Sequence, residues 1–264
     1  MEPQSKKLVI LADRFIKQVE NLKRFFQLLA DEMIYTVQYL RKRKGTYPGE
    51  IWKQFYFMAY KSFFIVCLIT FLVGVTISLT SAAQLKLFGA DIYLSYFVGI
   101  AMIRELVPLM TGIILAGKIG AAVTAEISTM KVLEEIDALK TMGIIPEKFL
   151  MVPRLIGITL AVPLLVVLAD FVGIFGGILV ARISLGIPPS SFIREMLNVV
   201  LLQDFFIGLA KTLVFGWAII INSGFKGFSV ERGAEEVGRA TTESVVLSIS
   251  LIILLDCIFA FILY

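Results

Sequence analysis

Long apolar stretches alternate with charged ones along this chain. Residues 62–85 carry no charge, and residues 92–117 are apolar except for Arg104 and Glu105 at their centre. Residues 155–181 hold only Asp170, residues 205–225 only Lys211, and residues 244–264 only Asp256. About twenty consecutive apolar residues cross a hydrocarbon core of about 30 Å as a helix. One such run occurs in soluble cores. Five in succession predict an all-α, polytopic membrane protein, and the alternation expected of a membrane barrel strand is missing.

Three regions lie outside these runs. Within residues 1–46, apolar positions recur every three or four residues (Leu8, Leu11, Phe15, Val19, Leu22, Phe26, Leu29, Met33, Val37, Leu40), with basic residues between them. This spacing predicts an N-terminal amphipathic helix in the membrane interface, its basic face toward anionic headgroups. A helix docked on a soluble partner would show the same pattern. Tyr47-Pro48-Gly49 reads as a turn, and Trp52, Phe55, Tyr56 and Tyr60 as an aromatic belt at the mouth of the first span. The organisation expected is therefore an entry unit, 1–61, and a five-span unit, 62–264.

Residues 118–154 are too many for a plain turn. Val123, Ile127, Met130, Leu133, Ile136 and Leu139 form an apolar stripe, and Glu126, Glu134, Glu135 and Asp137 carry the charge. A helix over about 120–142 is expected, stopped by Met142-Gly143 and Pro146. An amphipathic helix held against a membrane face is an element that docks another protein. Residues 183–204 contain Pro188-Pro189 and a short amphipathic stretch.

Composition agrees with the pattern: 58% of residues are hydrophobic and 17% charged, against about 45–50% and about 25% in soluble domains. Mean hydropathy is +0.87. Histidine is absent, which removes Ser-His-Asp and Cys-His catalysis and histidine-ligated zinc. Cys67 and Cys257 sit inside apolar runs and read as packing residues. The first apolar stretch, residues 8–12, is too short for a signal peptide. The net charge of +4 matters less than its placement. Lys and Arg crowd the segment before the first run, thin to Lys86 after it, return at Lys118, Lys131, Lys140, Lys148 and Arg154, thin to Arg182 and Arg194, and return at Lys226, Arg232 and Arg239. That alternation predicts a cytoplasmic N-terminus and an external C-terminus.

Residues 112–119, GIILAGKI, miss a phosphate-binding P-loop by one position: Ile119 stands where a Mg²⁺-binding hydroxyl belongs, and the run is a span end rather than a strand–loop–helix. Gly112, Gly117, Gly173, Gly176 and Gly177 are expected to permit close helix packing. The informative residues are the intramembrane charges, which cost about 2.5–3.5 kcal/mol each to insert and usually mark a pathway or a site. Arg104, Glu105, Lys211 and Asp256 come from three spans and sum to zero, so one mutually neutralised cluster is expected. Holding helices together is the other role open to them, and the two are compatible. Asp170 receives no role.

Arg104-Glu105-Leu106-Val107-Pro108, the run from Ala116 to Ile127, Met130 with Glu134-Glu135-Ile136-Asp137-Ala138-Leu139, Val152-Pro153-Arg154, Gly173-x-x-Gly176-Gly177 and Val237-Gly238-Arg239-Ala240-Thr241-Thr242 resemble the MlaE/YrbE permeases. The likeness runs in order from about Tyr60 to the C-terminus. These are permease subunits of MCE-type ABC transporters, which move phospholipids between the two membranes of diderm bacteria and across the chloroplast envelope. The resemblance implies a five-span homodimer in the bacterial inner membrane, with a periplasmic C-terminus and a central lipid cavity. It also implies a cytoplasmic ABC ATPase dimer that hydrolyses the ATP, and an MCE-domain hexamer on the external side. Residues 120–142 would be the coupling helix, with Glu126, Glu134, Glu135 and Asp137 facing the ATPase. Arg104, Glu105, Lys211 and Asp256 fall on the family's span charges, as lipid-binding residues. No cofactor, metal or nucleic acid is implied, and no catalytic residue. One position departs: Val107 replaces the glycine usual in R-E-L-G-P.

Two other classes fit less well. An intramembrane lipid enzyme would need a Ser/Lys or carboxylate scheme, and no G-x-S-x-G occurs. A secondary carrier or channel with a charged intramembrane site needs no docking helix and often shows internal repeats, which are not evident here.

Overall fold

The computed structural model describes residues 23, 27, 30, 32–38, 48–91, 93–231 and 233–263. The amphipathic helix expected over 1–46 lies largely outside the described residues. Of its described residues, 32–38 form a continuous helical stretch, with Glu32 buried and the Lys148 ammonium 5.7 Å from the centre of the Tyr35 ring.

Seven further helices follow: α1 (Pro48–Leu87), α2 (Tyr93–Val132), α3 (Glu135–Thr141), α4 (Pro146–Leu185), α5 (Pro189–Val199), α6 (Leu202–Phe228) and α7 (Ala234–Leu263). Five of them, α1, α2, α4, α6 and α7, are long and apolar enough to cross a membrane. Each contains one of the expected runs and extends beyond it, Ile92 and Tyr264 lying outside the described residues. Pro48 opens α1 rather than a turn, since a proline at the first helical position gives up only an N–H that would have no helical partner. Helix α1 is continuous across residues 61 and 62.

Alternate crossing makes odd and even spans antiparallel, and the close approaches follow that order. Helices α1 and α4 run parallel along a seam of small residues. A Cβ on Gly176 would stand 2.7 Å from the Phe71 carbonyl and one on Gly177 2.9 Å from Ser78 Oγ, while Gly74 meets the Gly173 carbonyl. Helices α2 and α6 also run parallel: a Cβ on Gly208 would stand 2.7 Å from the Ile103 carbonyl, and one on Gly227 2.8 Å from Ile127 Cβ. Helix α7 packs antiparallel against both. Small residues let helix backbones approach where lipid provides no hydrophobic drive. Gly117 takes no part, because a Cβ there meets nothing within 4 Å.

One expectation changes here. The helix expected over 120–142 is not one element. Helix α2 continues without a break from the apolar run to Val132, and α3 begins only after Glu134, whose φ of 61° lies in the left-handed region. The apolar stripe divides accordingly: Val123, Ile127 and Ile136 are buried while Leu133 is exposed. The cause lies in the seam below Gly120. Thr124 Oγ1 is 2.9 Å from the Gly120 carbonyl and 2.8 Å from Ser244 Oγ, and Asn222 Nδ2 donates to the Ser244 carbonyl (2.9 Å) and Ser248 Oγ (2.8 Å). These hydroxyl and amide contacts commit residues 120–132 to the bundle. The short amphipathic stretch near Pro189 is α5, which lays Met196 against Gly99 of α2 and Phe192 beside Gly177 of α4.

Candidate functional site

The expected charge cluster forms around α6. The Lys211 ammonium, fully buried, donates to Glu105 Oε2 at 2.7 Å, to Asp256 Oδ1 at 3.2 Å and to the backbone carbonyl of Arg104 at 3.4 Å. The third acceptor has a local origin. Residues Met102–Leu106 form a π-turn, closed by the Val107 N–H on the Met102 carbonyl, and Pro108 has no N–H to offer the Arg104 carbonyl four residues back. Lysine 211 stands where that helical donor would have been. Gly208, one turn earlier on α6, lets the two backbones close at this level.

Arg104 goes elsewhere. Its Nη1 lies 3.6 Å from Oδ1 of Asp204, a residue the sequence reading missed. The other Asp204 oxygen accepts the Leu201 N–H at 3.0 Å and caps α6. The signal is an aspartate three residues after a helix boundary, but by sequence Asp204 lies in the connection between two apolar runs. The arrangement is therefore an Arg104–Asp204 pair beside a triad of Lys211, Glu105 and Asp256, the two joined through the adjacent residues Arg104 and Glu105 of α2. Lys211 has no exposed surface, whereas side-chain exposure is 26% for Arg104 and 33% for Glu105. A ligand arriving from outside the bundle meets Arg104 and Glu105 first. Val107 is buried, its Cγ2 3.6 Å from where a Cβ on Gly173 of α4 would stand. Asp170, also buried, has an Oδ1 that accepts no hydrogen bond among the described residues.

The acidic residues of the second expected site do not share one role. Glu126 is held by Arg154 of α4, Nη2 to Oε2 at 2.7 Å. Glu134 and Glu135 are exposed and make no ion pair among the described residues. Asp137 accepts a hydrogen bond from Lys140 at 2.9 Å and lies 3.9 Å from the Lys131 ammonium. Lys140 first, then the charge of Lys131, hold its carboxylate below the ordinary aspartate range. Exposed Leu133, Met142 and Ile145 flank these acids, so the turn around α3 presents apolar and acidic surface together. The near-miss P-loop lies wholly within α2, with Ile119 buried.

Residues 51–262 match the family described as Permease MlaE. The chain belongs to the MlaE permease family. Relatives of this MlaE-family chain include a probable ABC transporter permease protein of Rickettsia typhi, 37% identical over 208 residues that cover 79% of this chain and 80% of the relative. One from Synechocystis is 36% identical over 177 residues, 67% of each chain. Another, from the red alga Porphyra purpurea, is 39% identical over 147 residues, 56% of each. The matched residues include the Arg104–Asp204 pair, the Lys211 triad and the α3 turn.

Proposed function

We propose that this chain is the permease subunit of an ATP-driven ABC transporter that moves phospholipids between the inner and outer membranes of a bacterium and so maintains lipid asymmetry. The observation that carries the reading is the partly exposed guanidinium of Arg104 within a bundle of apolar spans. A diacyl phospholipid needs a cationic donor beside an apolar wall, and the planar fork of arginine suits a phosphate. Asp204 neutralises Arg104 while the site is empty. Lys211, enclosed by Glu105 and Asp256, positions the π-turn on which Arg104 sits.

The chain works as a homodimer in the inner membrane, with its N-terminus in the cytoplasm and its C-terminus in the periplasm. ATP is hydrolysed by a cytoplasmic ATPase dimer seated on the α3 turn through Glu134, Glu135 and Asp137, and an MCE-domain hexamer sits beyond the α5 end. The names of the relatives and the MlaE family support the transporter class. The joint acidic and apolar character of the α3 turn supports the seat.

Purification in mild detergent, followed by mass spectrometry of co-purifying proteins and lipids, tests this. An ATPase subunit and phospholipid in stoichiometric amounts are expected, with bound phospholipid lost from Arg104→Gln. Bound lipid unchanged per folded chain in that variant would make the charges helix ties only. Charge reversal at Glu134 is expected to lower ATPase recovery.

A further inference from the structure

The Glu126–Arg154 pair has no place in the lipid site, and it is expensive. Arg154 is 2% exposed, and its Nη1 also donates to the Leu150 carbonyl of its own helix at 2.8 Å, which fixes the guanidinium on α4. The burial falls on Arg154 alone, since the Glu126 side chain is 56% exposed, and taking a charge out of water seldom stabilises a fold more than an apolar residue of the same size would. The pair's value lies in the geometry it imposes.

That geometry is specific. The last three turns of α2 pack mainly on α6 and α7. Between Glu126 and Arg154 the chain runs out through the left-handed Glu134, along α3 and back through Pro146. The ion pair closes the base of this excursion. Beside it lies a cavity of about 340 Å³ lined by Lys53 and Gln54 of α1 together with Glu126 and Arg154. Just above, α4 touches α1 closely again: a Cβ on Gly157 would stand 3.0 Å from Gln54 Cβ. The base of the excursion is thus tied to α4, open toward α1, and bounded by a tight contact one turn further in.

We infer that Glu126 and Arg154 are positioning residues that clamp α2 to α4 beneath the α3 turn, so that a protein seated on α3 moves both spans as one body. This rests on the α3 turn being the ATPase seat. Without the pair, a push on α3 would be absorbed in the turns at 133–134 and 142–145. With it, the push reaches α4 directly and reaches the Arg104 level along α2, by way of its π-turn at Ala116–Gly120.

The experiment uses the assembled complex in lipid nanodiscs of phosphatidylethanolamine and phosphatidylglycerol. Cys67 and Cys257 are replaced by alanine, and spin labels are attached at Phe171→Cys on α4 and Ile253→Cys on α7, both exposed positions. Trapping with ATP and vanadate is expected to shift the distance between the labels. Glu126→Gln, at a half-exposed position, is expected to abolish the shift in complexes that still carry the ATPase, and Glu126→Asp to restore it. A shift that survives Glu126→Gln, or one absent from the unsubstituted chain, overturns the clamp. So does loss of the ATPase from Glu126→Gln, which would make Glu126 a direct contact. Failure of the seat reads out separately, as full ATPase recovery with Glu134→Lys.

Discussion

Lys211 of α6 reaches Glu105 of α2 at 2.7 Å from a position with no solvent exposure, and the carbonyl it also contacts, that of Arg104, is one to which Pro108, lacking an N–H, cannot donate. The ion pair and the break in helix geometry are one device. A π-turn costs helix hydrogen bonding, and the ammonium replaces what is lost while joining three spans. This places the cluster's stabilising role on Lys211, while the Arg104 guanidinium turns to Asp204.

Lys211→Met should therefore be among the most destabilising single changes, by about 3–5 kcal/mol, because it strands two carboxylates in an apolar setting. Adding Glu105→Gln and Asp256→Asn to the same chain should recover more than half of the loss. Thermal unfolding in a fixed detergent measures both. Equal stability of the single and triple variants would mean that the carboxylates do not depend on Lys211.

Arg104→Gln and Asp204→Asn should be non-additive, the double variant milder than the sum of its parts by about 0.5–3 kcal/mol. The same unfolding assay, run as a double-mutant cycle, decides it. A coupling near zero would separate the α6 cap from the arginine.

Gly176→Ala should lower the melting temperature, since its new methyl group would meet the Phe71 carbonyl, which as backbone cannot turn aside. Gly117→Ala has open space around it and should be neutral or stabilising by up to about 1 kcal/mol. The pair serves as a matched test of the α1–α4 seam. Equal effects would show that the seam is not closely packed.

Asp137 gives a pH dependence with a definite sign. Its carboxylate is held below the ordinary aspartate range by Lys140 and Lys131, so the folded state binds this proton less readily than the unfolded state. The contribution is fully present above the ordinary aspartate range and is lost as pH falls through the lowered value. Stability plotted against acid pH should have a shallower slope in Asp137→Asn than in the parent chain. Identical slopes would remove the Lys131–Asp137–Lys140 contacts from the energetics of α3.

The spans were legible because charge is excluded from lipid, so the gaps between charges outline them whatever the tertiary structure. The cluster of Glu105, Lys211 and Asp256 was legible for the same reason: charges placed in lipid need one another. What pattern could not show were contacts between residues unremarkable alone. The extension of α2 to Val132 depends on Thr124, Asn222, Ser244 and Ser248 meeting across three helices, and in sequence these are scattered small polar residues. The partner of Arg104 was hidden because Asp204 belongs by sequence to a connection and by geometry to the first turn of a span. The break at Glu134 carried no signal, since a left-handed glutamate is rare and glycine is the usual residue in that conformation.

The two halves of the α2–α6–α7 interface are fastened by different chemistry. Toward α3, Thr124 and Ser223 are within 2.9 Å of carbonyls in their own helices, Gly120 and Ile219, so those two hydroxyls keep an acceptor even if the helices part. Toward α5, parting the helices would strand a lysine and two carboxylates in hydrocarbon. Parting such a joint costs least at the α3 end and most beside Arg104, as with a clasp.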